Sequence, residues 1–221
     1  LANGITFAGR SNVTLRGPGP DRTILVFTGS DACGGATANV CIHGSSTVWS
    51  GNVPAANIRQ WIGGHAKGST VLTLDSAAGL RAGTVLVLDQ LDDTVDTGGV
   101  LVSDAPQFAI EGGAPGRVNR AQQQFVEVVA VNGNQVTVSP AIHMPNWQGS
   151  RQPQAWWWGD RAATASMDGV GDLTLDHSTA SEIAGIVFSN AYGGWVRNVR
   201  SVQANRSHLW LFQAAPIEIL V

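Results

Sequence analysis

Two segments decide the fold: Ala184-Gly185-Ile186-Val187-Phe188-Ser189-Asn190-Ala191 and, 23 residues further on, Ser207-His208-Leu209-Trp210-Leu211-Phe212-Gln213-Ala214. Laid over one another, Ile186 meets Leu209 and Phe188 meets Leu211. The same shift carries Val196 onto Ile219, Asn190 onto Gln213 and Ala191 onto Ala214. A step in the low twenties with short strands is the mark of a solenoid, because one coil cannot bury its own apolar face and successive coils stack like on like. The paired amides Asn190 and Gln213 are expected to form a hydrogen-bond ladder at the turn. Leucine-rich repeats share the period, but their Leu/Asn consensus is missing. The chain therefore reads as an all-β protein whose body is a right-handed parallel β-helix.

Toward the N-terminus the pattern is short strands between turns. Gly4-Ile5-Thr6-Phe7 and Val13-Thr14-Leu15-Arg16 alternate. Gly17-Pro18-Gly19-Pro20-Asp21 excludes regular structure. Thr23-Ile24-Leu25-Val26-Phe27 is apolar on both faces and is expected to be buried. A different texture fills residues 54–149. Val71–Leu74, Thr84–Leu88, Phe125–Val131 and Gln135–Val138 read as strands, and Asn132-Gly133 between the last two is a hairpin signal. These strands leave the 23-residue step, so residues 54–149 are expected to be an inserted β-rich sheet or small barrel between helix coils 1–53 and 150–221.

Composition supports this class. Hydrophobic residues are 43% and charged residues 13%, too apolar for a disordered chain. The 27 glycines suit many turns, and helix formers are scarce. The net charge of −3 gives no basic field for nucleic acid. No apolar run approaches the roughly 20 residues that span a bilayer, so no membrane insertion is expected. Cys33 and Cys41 flank a Gly/Ala-rich loop. They are either a disulfide, which suits an exported protein, or two buried thiols; Cys-x7-Cys without a second pair is a poor zinc signature.

Val13-Thr14-Leu15-Arg16-Gly17-x-Gly19 with Thr23-Ile24-Leu25, Gly169-Val170-Gly171-Asp172-Leu173-Thr174-Leu175-Asp176 and Trp195-Val196-Arg197-Asn198-Val199 resemble coils of the pectate-lyase-like β-helix superfamily. Lys67-Gly68-Ser69-Thr70 leading to Gly79-Leu80-x-x-Gly83 is similar to modules that interrupt such helices. The resemblance implies a carbohydrate-active protein outside the cytoplasm, extracellular or periplasmic. A polysaccharide lyase or glycoside hydrolase is the first reading. A non-catalytic glycan-binding adhesin or tailspike-like structural protein, monomeric or homotrimeric, is the alternative. Fold does not choose between them. The Asn-x-Asp strand and Gly-Asp-Asp turn of the hydrolases are missing. Further coils, carrying the active site, are expected beyond Val221.

Candidate chemistry falls in four places. Asp89, Asp92 and Asp93, with Asp96, would bind calcium through carboxylate oxygens, supply an acid/base pair for glycoside hydrolysis, or form a solvated loop. Asp176 with Arg197 on the next coil would supply an acid and a cation for uronate or lyase chemistry, or else a surface ion pair. His208, Trp210 and Arg206 would contact a sugar, His208 alternatively being structural. Of Trp156-Trp157-Trp158, alternation is expected to expose at least one indole, and Trp157 is the candidate sugar platform, against packing of the insertion.

Overall fold

The computed structural model describes residues 1–34, 36–92, 117, 120 and 122–220. Strands dominate. In chain order they are β1 (Ile5–Thr6), β2 (Thr14–Arg16), β3 (Ile24–Val26), β4 (Asp31–Cys33), β5 (Ala36–His43), β6 (Ile58–Gly63), β7 (Val71–Leu74), β8 (Val85–Asp89) and β9 (Gln123–Asn132). There follow β10 (Gln135–Ser139), β11 (Gln154–Trp156), β12 (Ala165–Ser166), β13 (Gly169–Asp176), β14 (Ala184–Tyr192), β15 (Trp195–Val202), β16 (Ser207–Ala214) and β17 (Glu218–Leu220). The chain divides into two compact units, Leu1–Thr47 with Ala162–Val221, and Val48–Arg161.

The first unit is a parallel β-helix of two facing sheets. In the first sheet β1, β5, β14 and β16 run parallel in that order. In the second, β13 pairs with β15, β15 with β17, and β2 and β3 share the other edge of β13. Like stacks on like, as the sequence shift predicts. Ile186 pairs with Val40 and Leu209, Phe188 with Ile42 and Leu211, and Val196 with Val170 and Ile219. Between the sheets Phe27, Val40, Ile42, Val170, Leu173, Leu175, Ile186 and Phe188 form one core. The strand of β3 is only half buried. Leu25 packs inward while Ile24 and Val26 face solvent, 57% and 44% exposed. The expectation of two buried faces fails because this is a helix wall, open on its outer side.

Each sheet carries a corner where a polar residue adopts the left-handed backbone. Asn190 (φ 48°) and Gln213 (φ 50°) occupy it in the first sheet, Asp172 (φ 55°) and Asn198 (φ 50°) in the second. Asn and Asp tolerate this region better than other non-glycine residues. The corners are tied from coil to coil: Gln213 Nε2 donates to Asn190 Oδ1, and Asn198 Nδ2 donates to Asp172 Oδ1 at 2.8 Å. The ladder expected at Asn190 is present, and a second one runs beside it.

Cys33 and Cys41 are disulfide-bonded, with Cα atoms 5.5 Å apart. The segment they close is mostly strand β5, not an irregular loop. β4 folds back antiparallel on β5, and the bond staples this hairpin over the outer face of the first sheet, where Ala38, Cys41, Ala184 and Val187 are buried.

The second unit is a closed barrel in the order β10-β7-β6-β11-β8-β9, with antiparallel pairs throughout. Inward positions alternate with period two: Leu72 and Leu74, Leu86 and Leu88, Val126 and Val128, Val136 and Val138. The hairpin at Asn132-Gly133 joins β9 to β10. The barrel takes in β11, beyond the Gly149 at which the sequence reading ends the insertion, because β11 pairs with both β6 and β8 and closes the ring.

Candidate functional site

The outer face of the second sheet gathers polar and aromatic side chains from neighbouring coils. Register places Gly169 beside Thr14 and Trp195, and Gly171 beside Arg16 and Arg197. The Trp195 indole lies flat over both glycines: a Cβ on Gly169 would sit 2.0 Å from Trp195 Cε2, and one on Gly171 2.9 Å from Cζ3. The Arg197 guanidinium stacks 5.2 Å from the indole centroid and pairs with Glu218. Beside them Arg16 Nε meets Asp172 Oδ2 at 2.6 Å. The Asn198 amide and then Arg16 hold the Asp172 carboxyl below its ordinary value. Further along, Arg200 pairs with Asp21 at 2.8 Å.

Asp176 and Arg197 are not brought together. Arg197 is in register with Gly171 and Leu220, whereas Asp176 is in register with Val26 and Val202, at the other end of the strands. Asp176 caps its own turn: its Oδ1 accepts the Ser178 N–H at 2.9 Å, and the Ser178 bonds lower its titration.

On the first sheet, Arg206 and Trp210 do meet. The guanidinium lies 5.1 Å from the indole centroid, and Phe212 packs edge-on to Trp210 at 6.5 Å. Trp210 is in register with Val187, which pairs in turn with Cys41, so it borders the stapled hairpin. His208, although next to this pair in sequence, donates or accepts through Nδ1 at Ser201 Oγ, 2.8 Å away.

The remaining candidates lie in the barrel. Trp157 is 5% exposed and packs in the barrel core, with Arg59 over its ring. Trp156 and Trp158 are buried as well, so the expected open indole is absent from this triplet: Trp156 Nε1 donates to Asp89 at 3.0 Å and Trp158 packs on Phe125. Asp89 ends β8 inside the protein rather than in a solvated loop. Arg117 and Arg120 both pair with its carboxylate, which is fully buried. Two guanidiniums and an indole N–H already occupy the oxygens that calcium would need. Asp92 accepts Arg151 Nη1 at its backbone carbonyl, and Asp93 and Asp96 lie outside the described residues. Among the described residues, no three His, Cys, Asp or Glu side chains gather where they would hold a metal ion, and no helix is long and apolar enough to cross a membrane.

Sequence reasoning passed over Trp195, Arg16 and the Asp172–Asn198 ladder. A usable signal was there: Gly169-x-Gly171 faces Trp195-x-Arg197 one coil later, small residues beneath large ones.

The paired parallel sheets and stacked corners define a parallel β-helix, here interrupted in sequence by a barrel. One solved structure agrees in fold. The chain aligns over 98% of its length with the tailspike protein gp49 of Pseudomonas phage LKA1, at 18% identity and a TM-score of 0.51. It also aligns with the tailspike gp61 of Pseudomonas phage phi297 (99% of this chain, 14% identity, TM-score 0.46) and the gp54 tailspike of Acinetobacter baumannii bacteriophage AP22, solved with a capsular saccharide (92%, 15%, 0.36). The chain spans 30%, 38% and 32% of those three proteins. No protein-family model and no curated protein matches the sequence.

Proposed function

We propose that this chain is a segment of a tailspike-like β-helix protein that binds polysaccharide along the outer face of the second sheet. One observation carries the reading: Arg16, Asp172, Asn198, Trp195 and Arg197 stand side by side on adjacent coils of that face. Strands about 4.8 Å apart repeat such donors and acceptors at a spacing that suits a polyhydroxylated chain. The likeness in fold to a phage tailspike supports the class, and the Cys33–Cys41 disulfide suits an oxidising compartment.

The test is calorimetric titration of the 221-residue chain with a panel of purified bacterial surface polysaccharides. At least one is expected to bind, and Arg197→Ala to weaken it about tenfold, the loss of one charge-assisted contact. Arg206→Ala, on the other sheet, is expected to leave affinity unchanged. Binding by none of the panel refutes the reading. The same incubations address cleavage: ultraviolet absorbance from unsaturated ends would make the protein a lyase, and new reducing ends without it a hydrolase.

A further inference from the structure

A chain of polar side chains threads the β-helix interior from the last coils to the buried middle. Asn39 on β5 donates through Nδ2 to the Gly29 carbonyl at 2.8 Å, which turns its Oδ1 toward His177 Nδ1, 2.6 Å away. His177 Nδ1 must therefore carry a proton. In the neutral ring Nε2 is then an acceptor, and it faces Ser201 Oγ at 2.9 Å. With its proton given to His177, Ser201 Oγ accepts from His208 Nδ1 at 2.8 Å. One anchored carbonyl thus fixes the direction of every bond and the tautomer of both rings. Asn39 and His177 are buried and His208 is exposed. Gly185 makes room for the path: a Cβ there would lie 2.6 Å from His177 Nε2.

We propose that Asn39, His177, Ser201 and His208 form a proton relay that passes a proton from the exposed His208 ring to the buried His177 ring and makes the β-helix acid-responsive. The step balances with one proton and no electrons. A proton bound at His208 Nε2 releases the Nδ1 proton to Ser201 Oγ, while the Ser201 hydroxyl proton moves to His177 Nε2. His177 ends as imidazolium, donating to both Asn39 and Ser201, and Ser201 ends donating to His208 Nδ1. The two hydrogen bonds at Ser201 survive with their directions reversed, the His177–Asn39 bond keeps its direction, and no heavy atom moves. Ser201 is in register with Leu175, a core residue, so the serine–histidine–amide order serves proton movement and not attack on a substrate.

The surroundings set the response. His177 faces Asp176 at the end of β13, Glu182 before β14 and His208 on β16, with neutral Phe27 stacked on its ring from β3. Glu182 is fully buried, its Oε1 accepts the Asn205 N–H, and among the described residues its Oε2 has no hydrogen-bond partner, so an acidic side chain with a spare acceptor stands in the surroundings of His177. Burial nevertheless dominates and pushes His177 below its ordinary value of 6.5, Glu182 only partly offsetting it. A histidine lowered in the fold makes stability full above 6.5 and declining as pH falls from there toward the folded value.

Long-range proton–nitrogen NMR of the imidazoles across pH 4–9, on the intact chain, tests the relay. At pH 8 both rings are expected as the Nδ1–H tautomer, and on acidification they should titrate in linked steps. Ser201→Ala should return His208 to the Nε2–H form that free histidine prefers and reduce each ring to a single independent step. Ser201→Thr, which keeps the hydroxyl, should restore the linkage. A wild-type His208 in the Nε2–H form, or a His177 titration indifferent to Ser201→Ala in a folded variant, overturns the proposal. If Ser201→Ala does not fold, His208→Gln decides: His177 must then titrate in one shifted step, and an unshifted His177 overturns the relay.

Discussion

Gly169→Ala probes the contact that builds the candidate face. The added Cβ would lie 2.0, 2.3 and 2.4 Å from three atoms of the Trp195 indole, where ordinary contacts are 3.4–4 Å. The ring must lift by more than an ångström, off both glycines and out from under Arg197. Overpacking costs typically about 1–3 kcal/mol, and the lost guanidinium–indole contact about 0.5–1 kcal/mol. We expect a destabilisation of about 2–3 kcal/mol, or roughly 5–10 °C in Tm for a chain of this size. Urea and thermal unfolding followed by circular dichroism would measure it. The control is the same substitution in a Trp195→Ala background. There the three nearest atoms are removed, and replacing glycine reduces the entropy of the unfolded chain, so Gly169→Ala should become neutral or stabilising by about 0.4–1 kcal/mol. That reversal of sign is the coupling a double-mutant cycle detects. An equal cost in both backgrounds would refute the indole-on-glycine account.

Reduction of Cys33–Cys41, or its replacement by serines, should cost about 2.5 kcal/mol from loop-closure entropy, read as a lower urea midpoint. Asp89→Asn should cost about 3–5 kcal/mol, because it leaves the Arg117 and Arg120 guanidiniums buried without their carboxylate; barrel tryptophan fluorescence during unfolding would report it. Asp168 is buried with Oδ1 on the Val13 N–H and, among the described residues, Oδ2 without a partner, and burial raises its titration above 3.8. A raised carboxyl loses stability as pH climbs from the unfolded value through the folded one. Asp168→Asn should abolish that decline in urea midpoints measured from pH 3 to pH 8.

The β-helix was legible where its period was. Ile186 over Leu209 and Asn190 over Gln213 are both pairs in the structure, because stacking repeats the same environment at the same shift. β5 was not legible. Its Gly/Ala-rich opening looks like a loop, and its partner β14 is 146 residues away, beyond any window in which periodicity can be read. The barrel strands β7, β8, β9 and β10 showed by alternation, whereas β6 and β11 hide among Arg, Gln and Trp and are strands only because the ring must close. The site was harder still. Trp157 and Asp89 carry the residue types of sugar and calcium sites, but tertiary packing turned Trp157 into barrel core and buried Asp89 beneath Arg117, Arg120 and Trp156. Trp195 becomes part of a site only through the two glycines beneath it, which the register of β13 and β15 brings there.

β5 and β12 occupy one lane of the first sheet: β5 pairs with β14 from Ala184 to Ser189, and β12 with Ala191 and Tyr192. The chain leaves that lane at one residue and returns to it after the whole barrel has been made. What aligns the two halves of the broken coil is the uninterrupted strand β14, acting as a splint. The connection between them carries no information about register, so its length and content are free. In evolutionary terms this coil is a socket, into which a module of any size that returns its ends can be exchanged while the helix around it keeps its count.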